Sequence, residues 1–103
     1  MEPGDVRDAL MQLAGEIQEE IAAYGASFDP RISSDPPLYY LKIRMRFRGT
    51  TVSVKLEYDA QEETASWFVR TIPARWNERG TEIEDLPFVV TDVLSSLERG
   101  SAL

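Results

Sequence analysis

The stretch "YLKIRMRFRGTTVSVKLEYD", residues 40 to 59, decides the fold. Leu41, Ile43, Met45 and Phe47 alternate with Lys42, Arg44, Arg46 and Arg48, the period of two that sends successive side chains to opposite faces of a strand. Val52, Val54, Leu56 and Tyr58 repeat the pattern after a turn, so two amphipathic strands form a hairpin. With Gly49 and Thr50 at the centre of a type II′ turn, Phe47 faces Val52, Met45 faces Val54, Ile43 faces Leu56 and Leu41 faces Tyr58. Every apolar residue then meets another, and a slip of one residue would destroy the match. On the other face Arg46 opposes Ser53, Arg44 opposes Lys55 and Lys42 opposes Glu57.

Beyond this hairpin, "DAQEET" reads as a polar turn and "ASWFVRTI" as a third strand ended by Pro73. Pairing Asp59 with Thr64 puts Trp67 and Val69 on the apolar face and Phe68, Arg70 and Ile72 on the basic one. A register shifted by one would bury Phe68 and expose Trp67 instead, and the run of Trp, Phe and Val leaves both open.

Towards the N-terminus, Val6, Leu10, Leu13, Ala14, Ile17, Ile21 and Tyr24 fall at three-and-four spacing, which predicts a helix from Asp5 to about Tyr24. Asp5 is the expected N-cap and Gly25 the left-handed stop. Its outer face carries Asp8, Glu16, Glu19 and Glu20. "ASFDPRISSDPPLYY" then reads as a loop of roughly ten residues, a tether or a recognition loop. Residues 74–84 read as a charged connection containing Trp76. Asp85 is the expected N-cap of a second helix with a stripe of Leu86, Val89, Val90, Val93, Leu94 and Leu97, stopped at Gly100. Pro87 suits its first turn.

The expectation is a single α+β domain over residues 1–103: helix, three-stranded antiparallel meander, helix, in two layers with both helices on one sheet face. That order of elements is similar to the double-stranded RNA-binding domain and resembles the opening part of small acidic secretion chaperones. The likeness is one of topology. The last helix begins "EDLPFVV", acidic and apolar where a phosphate-binding helix would be basic, so no family follows from it.

The composition narrows the chemistry. There is no cysteine and no histidine, which removes disulfides, thiolates and the side chain best suited to proton transfer near neutral pH. No glycine-rich phosphate loop occurs, and the carboxylates of "GEIQEE" and "EIED" are adjacent on surfaces rather than spaced for convergence on a metal. No enzyme, metal or cofactor is expected. With no bilayer-length apolar run and no signal-peptide pattern at "MEPGDVRDAL", a cytoplasmic, non-membrane protein is expected.

Charge carries the remaining information. The net charge is −7, yet residues 38–75 hold seven bases against four acids, between flanks in which acids outnumber bases. Lys42, Arg44, Arg46, Arg48, Lys55 and Arg70, with Phe68 among them, define a basic sheet face as the candidate binding surface. Such a row also discourages edge-to-edge aggregation and could be neutralised by acids folding back on it. Trp76 is either a lid on one end of the core or an anchor for a partner. The function expected is a small protein-binding module of the adaptor, inhibitor, immunity or chaperone kind. Nucleic-acid binding by the basic face is the alternative, and a homodimer through the open sheet is left open.

Overall fold

The structure is a computed structural model and describes residues 3–101. Helix α1 (Pro3–Ile21) is followed by a 3-10 turn (Ala22–Tyr24), then strands β1 (Asp29–Asp35), β2 (Leu38–Phe47), β3 (Thr50–Asp59), β4 (Thr64–Ile72) and β5 (Asn77–Gly80). A second 3-10 turn (Ile83–Asp85) leads into helix α2 (Leu86–Ser101). The fold class is α+β, and the three-stranded meander is corrected to a five-stranded antiparallel sheet in the order β1-β2-β3-β4-β5.

Both extra strands lie on edges. The expected loop contains β1, which pairs along all seven of its residues from Asp29 opposite Arg44 to Asp35 opposite Leu38. Pro30 lies within it, and an edge strand accommodates a proline that an interior strand would not. Ser27 extends the contact: its N–H donates to the Arg46 carbonyl at 3.2 Å and its hydroxyl accepts from the Arg46 N–H at 2.9 Å. The expected connection over 74–84 contains β5, in which Arg79 faces Phe68 and Gly80 faces Trp67. A Cβ on Gly80 would sit 2.6 Å from Trp67 Cε2, so the absence of a side chain there is what lets β5 close against the indole.

The hairpin register also differs, by two residues. Phe47 faces Thr50, Met45 faces Val52, Ile43 faces Val54 and Leu41 faces Leu56. Arg48 and Gly49 are the central turn residues, with φ of 51° and 78°, the pair of positive values that marks a type I′ turn rather than the expected type II′. A shift of two preserves which face each side chain occupies, because the side-chain period is two. The third strand has the expected register, with Asp59 opposite Thr64, Leu56 opposite Trp67 and Val54 opposite Val69. Trp67 is therefore the buried aromatic, its indole N–H donating to the Glu82 carbonyl at 2.8 Å.

One core joins the layers. Leu41, Ile43, Met45, Val52, Val54, Leu56 and Val69 all project from the same sheet face into a buried cluster. There they meet Val6, Leu10, Leu13 and Ile17 of α1 and Leu86, Val90, Val93 and Leu94 of α2. Tyr24 ties the end of α1 to both neighbours, through a hydroxyl hydrogen bond to Ser95 and an edge-on ring contact with Phe47 at 5.9 Å. Three boundary expectations are corrected. Asp5 lies in the first turn of α1, Asp85 belongs to the 3-10 turn before α2, and Gly100 is inside α2. Gly25 ends the N-terminal helical segment in the left-handed conformation, φ 71°, as its position predicts.

Candidate binding surface

The sheet face away from the core is built by cross-strand rows. One row runs Arg31, Lys42, Lys55, Phe68, Arg79 from β1 to β5. The next runs Asp29, Arg44, Ser53, Arg70, Asn77. Arg46 follows beside Thr51 and Ile72. Of the predicted site residues, Lys42, Arg44, Arg46, Lys55 and Arg70 come together on this face, all exposed, with Phe68 half-buried among them.

Arg48 does not join them. It sits in the β2–β3 turn, lies 5.3 Å over the Phe47 ring on the core side, and points a guanidinium N–H at the Glu98 carbonyl 3.5 Å away near the end of α2. There it complements the negative end of the helix. Trp76 is also on the helix side of the sheet, half-buried against the core with its indole N–H donating to Glu78 at 3.1 Å.

Two arginines are added that the sequence alone did not single out. Arg31 and Arg79 stand at the two ends of the central row because β1 and β5 exist. A signal for the first was present in "DPRISSD", where Pro30 and Ile32 alternate with Arg31 and Ser33. Four residues of "NERG" carry no comparable pattern.

These bases are little neutralised. Among the described residues the only ion pair within 4 Å is Arg31–Asp29, at 3.4 Å and exposed. Lys42 directly opposes Lys55. Instead of acids, aromatic rings hold the cations: Arg70 and Arg79 lie 5.6 and 5.3 Å from the Phe68 centroid, and Lys55 lies 5.4 Å from that of Tyr40. Such contacts fix a cation and leave its charge available. Tyr40 borders the acidic end of the face, and its hydroxyl is held above the ordinary tyrosine value by partial desolvation, then by Glu57 and Asp35.

The face is hollowed. Arg31, Lys42, Arg44, Lys55 and Arg70, with Asp29 and Phe68 at the edge, line a depression of about 560 Å³ over Ser53, and a second of about 580 Å³, which Glu57 also lines, opens on the other side of Phe68 towards Arg79. The helix layer has the opposite sign. Glu16, Glu19, Glu20 and Glu84 rim a groove of about 350 Å³ that includes Phe88, which is 68% exposed.

Neither protein-family models nor curated proteins nor solved structures show a match to this chain. No group of three or more potential metal-ligating side chains occurs among the described residues, and no described helix is long and apolar enough to cross a membrane.

Proposed function

We propose that the chain is a small non-enzymatic protein-binding module that engages an acidic partner through its open sheet face. One observation carries this reading: exposed, mostly unpaired bases fill the central row of a five-stranded face in a chain of net charge −7. Like charges placed directly opposite each other cost stability, and a partner supplying carboxylates would offset that cost. The acidic groove around Phe88 gives the opposite side of the molecule a different electrostatic identity, so only one face suits an anionic partner.

A nucleic acid would use the same charges, but sequence-tolerant strand binding also relies on bases stacking on free aromatic faces. Phe68 is the aromatic at the centre of the row, and its ring already carries two guanidinium groups. That occupancy favours a polypeptide.

The test is a pull-down from the native host with nuclease treatment on one arm, using the wild type, an Arg44→Glu/Arg46→Glu variant and a Glu16→Lys/Glu19→Lys/Glu20→Lys variant. The expected result is a partner that survives nuclease and is lost only with the arginine reversals. A partner lost on nuclease treatment would transfer the function to nucleic acid. One retained by both variants would remove the charged faces from consideration.

A further inference from the structure

On the reading that the open sheet face takes an acidic partner, the shape of that face limits what the partner can present. Along β3 the outward side chains at its first positions are short: Thr51 and Ser53, both half-buried. Their neighbours on β2 are Arg46 and Arg44, and on β4 Ile72 and Arg70. Short residues between long ones make a trough whose floor is β3. Lys55 stands at its far end, held over Tyr40. The strands forming the two walls are separated by two inter-strand spacings, roughly 9.5 Å between backbones. Part of that width is taken by the arginine stems.

We infer that this trough receives a single extended acidic segment of the partner, running along β3. An α-helix turns a given face toward the sheet only once per 5.4 Å turn, so its consecutive residues cannot address both walls. Those of an extended chain can. Its side chains alternate left and right, so residues i and i+2 lie about 6.8 Å apart, the spacing of Arg44 and Arg46 on the β2 wall. The intervening residue i+1 faces Arg70 on the β4 wall. A run of consecutive acids is therefore read on both sides, whereas acids at alternate positions use only one wall. Ser53 and Thr51 on the floor supply hydroxyls to the segment's backbone.

The experiment uses fluorescence anisotropy with the full chain and three labelled probes: hexaglutamate, an alternating Glu-Gly hexamer and hexauridylate. Hexaglutamate is expected to bind at least roughly tenfold more tightly than the alternating peptide, the equivalent of losing one charge-assisted contact. Ser53→Trp fills the trough without changing charge and is expected to abolish hexaglutamate binding, while Ser53→Ala, which removes one floor hydroxyl and leaves the trough open, is expected to weaken it only about two- to fivefold. Thermal unfolding of both variants confirms that the site sits on a folded domain, and Thr51→Trp replaces Ser53→Trp if the latter does not fold.

If Ser53→Trp and Thr51→Trp are folded and still bind hexaglutamate, or if alternating and consecutive acids bind equally, the trough is not the site. A partner lost with Arg44→Glu/Arg46→Glu but unaffected by Ser53→Trp would overturn this inference while leaving the acidic-partner reading intact. Tighter binding of hexauridylate than of hexaglutamate would overturn both.

Discussion

Lys42 and Lys55 face each other across β2 and β3, in the middle of the open face, and among the described residues no acid is paired to either. Arg31 stands on the other side of Lys42. Lys42→Glu would replace two like-charge cross-strand neighbours with two attractive ones, each worth about 0.5 kcal/mol. The variant is expected to melt a few degrees higher than wild type in low salt, with the difference shrinking as salt is added. The same change is expected to weaken acidic-peptide binding. Calorimetry and anisotropy on one preparation would check both, and a Lys42→Glu variant that melts lower would show that the bases do not repel.

Arg48 adopts a positive φ of 51° in a turn whose backbone favours Asn-Gly. The left-handed region costs a side-chain-bearing residue about 1–2 kcal/mol, and Asn tolerates it better than most. Against this gain, Arg48→Asn loses an exposed contact with the Phe47 ring worth about 0.5 kcal/mol and a long hydrogen bond to Glu98. A net stabilisation of about 0.5 kcal/mol is expected, read as a shift of the urea midpoint at unchanged slope. Because Arg48 lies off the basic face, binding should not change.

Thr71 is 2% exposed, and its hydroxyl organises the turn into β5. It donates to the Pro73 carbonyl at 2.9 Å and accepts from the N–H groups of Arg75 at 2.8 Å and Trp76 at 3.0 Å. That uses its one donor and both acceptor sites. Thr71→Val keeps the shape and removes all three bonds, at an expected cost of about 1–3 kcal/mol. Amide exchange should show β5 opening first, with Trp76 emission shifting to the red before global unfolding.

The raised Tyr40 hydroxyl has a defined pH consequence. The folded protein holds this proton more tightly than the unfolded chain, whose value is the ordinary 10.0. Its contribution to stability is therefore intact below pH 10.0 and lost as pH rises through the folded value. Glu57→Gln removes a neighbouring negative charge and should lower the Tyr40 ionisation in an ultraviolet titration. Tyr40→Phe identifies which transition belongs to it.

The alternation in residues 41–48 was enough to assign the two faces of the hairpin, because a two-residue error in register returns every side chain to its own side. The turn could not be assigned from Gly49 alone. Type II′ needs one positive φ and type I′ needs two, and the second falls on an arginine that composition gives no reason to choose. The edge strands were hidden for separate reasons. β1 contains Pro30 and ends in Ser-Ser-Asp, residues with weak strand preference that tertiary pairing with β2 overrides. β5 is four residues long and owes its place to Thr71 and to the missing side chain of Gly80, neither of which is a local signal.

The opposition between a basic sheet face and an acidic molecule has a kinetic side. At distances beyond a Debye length an anionic partner meets the net charge of −7 and is repelled, whatever lies on the face it will finally touch. Within contact range it meets the arginines. Raising salt from very low values should thus let partners arrive faster and, by weakening the contacts once made, leave sooner, so that both rate constants climb together while the equilibrium moves less than either. A protein built this way exchanges its partners quickly and rejects distant polyanions that lack a segment to fit.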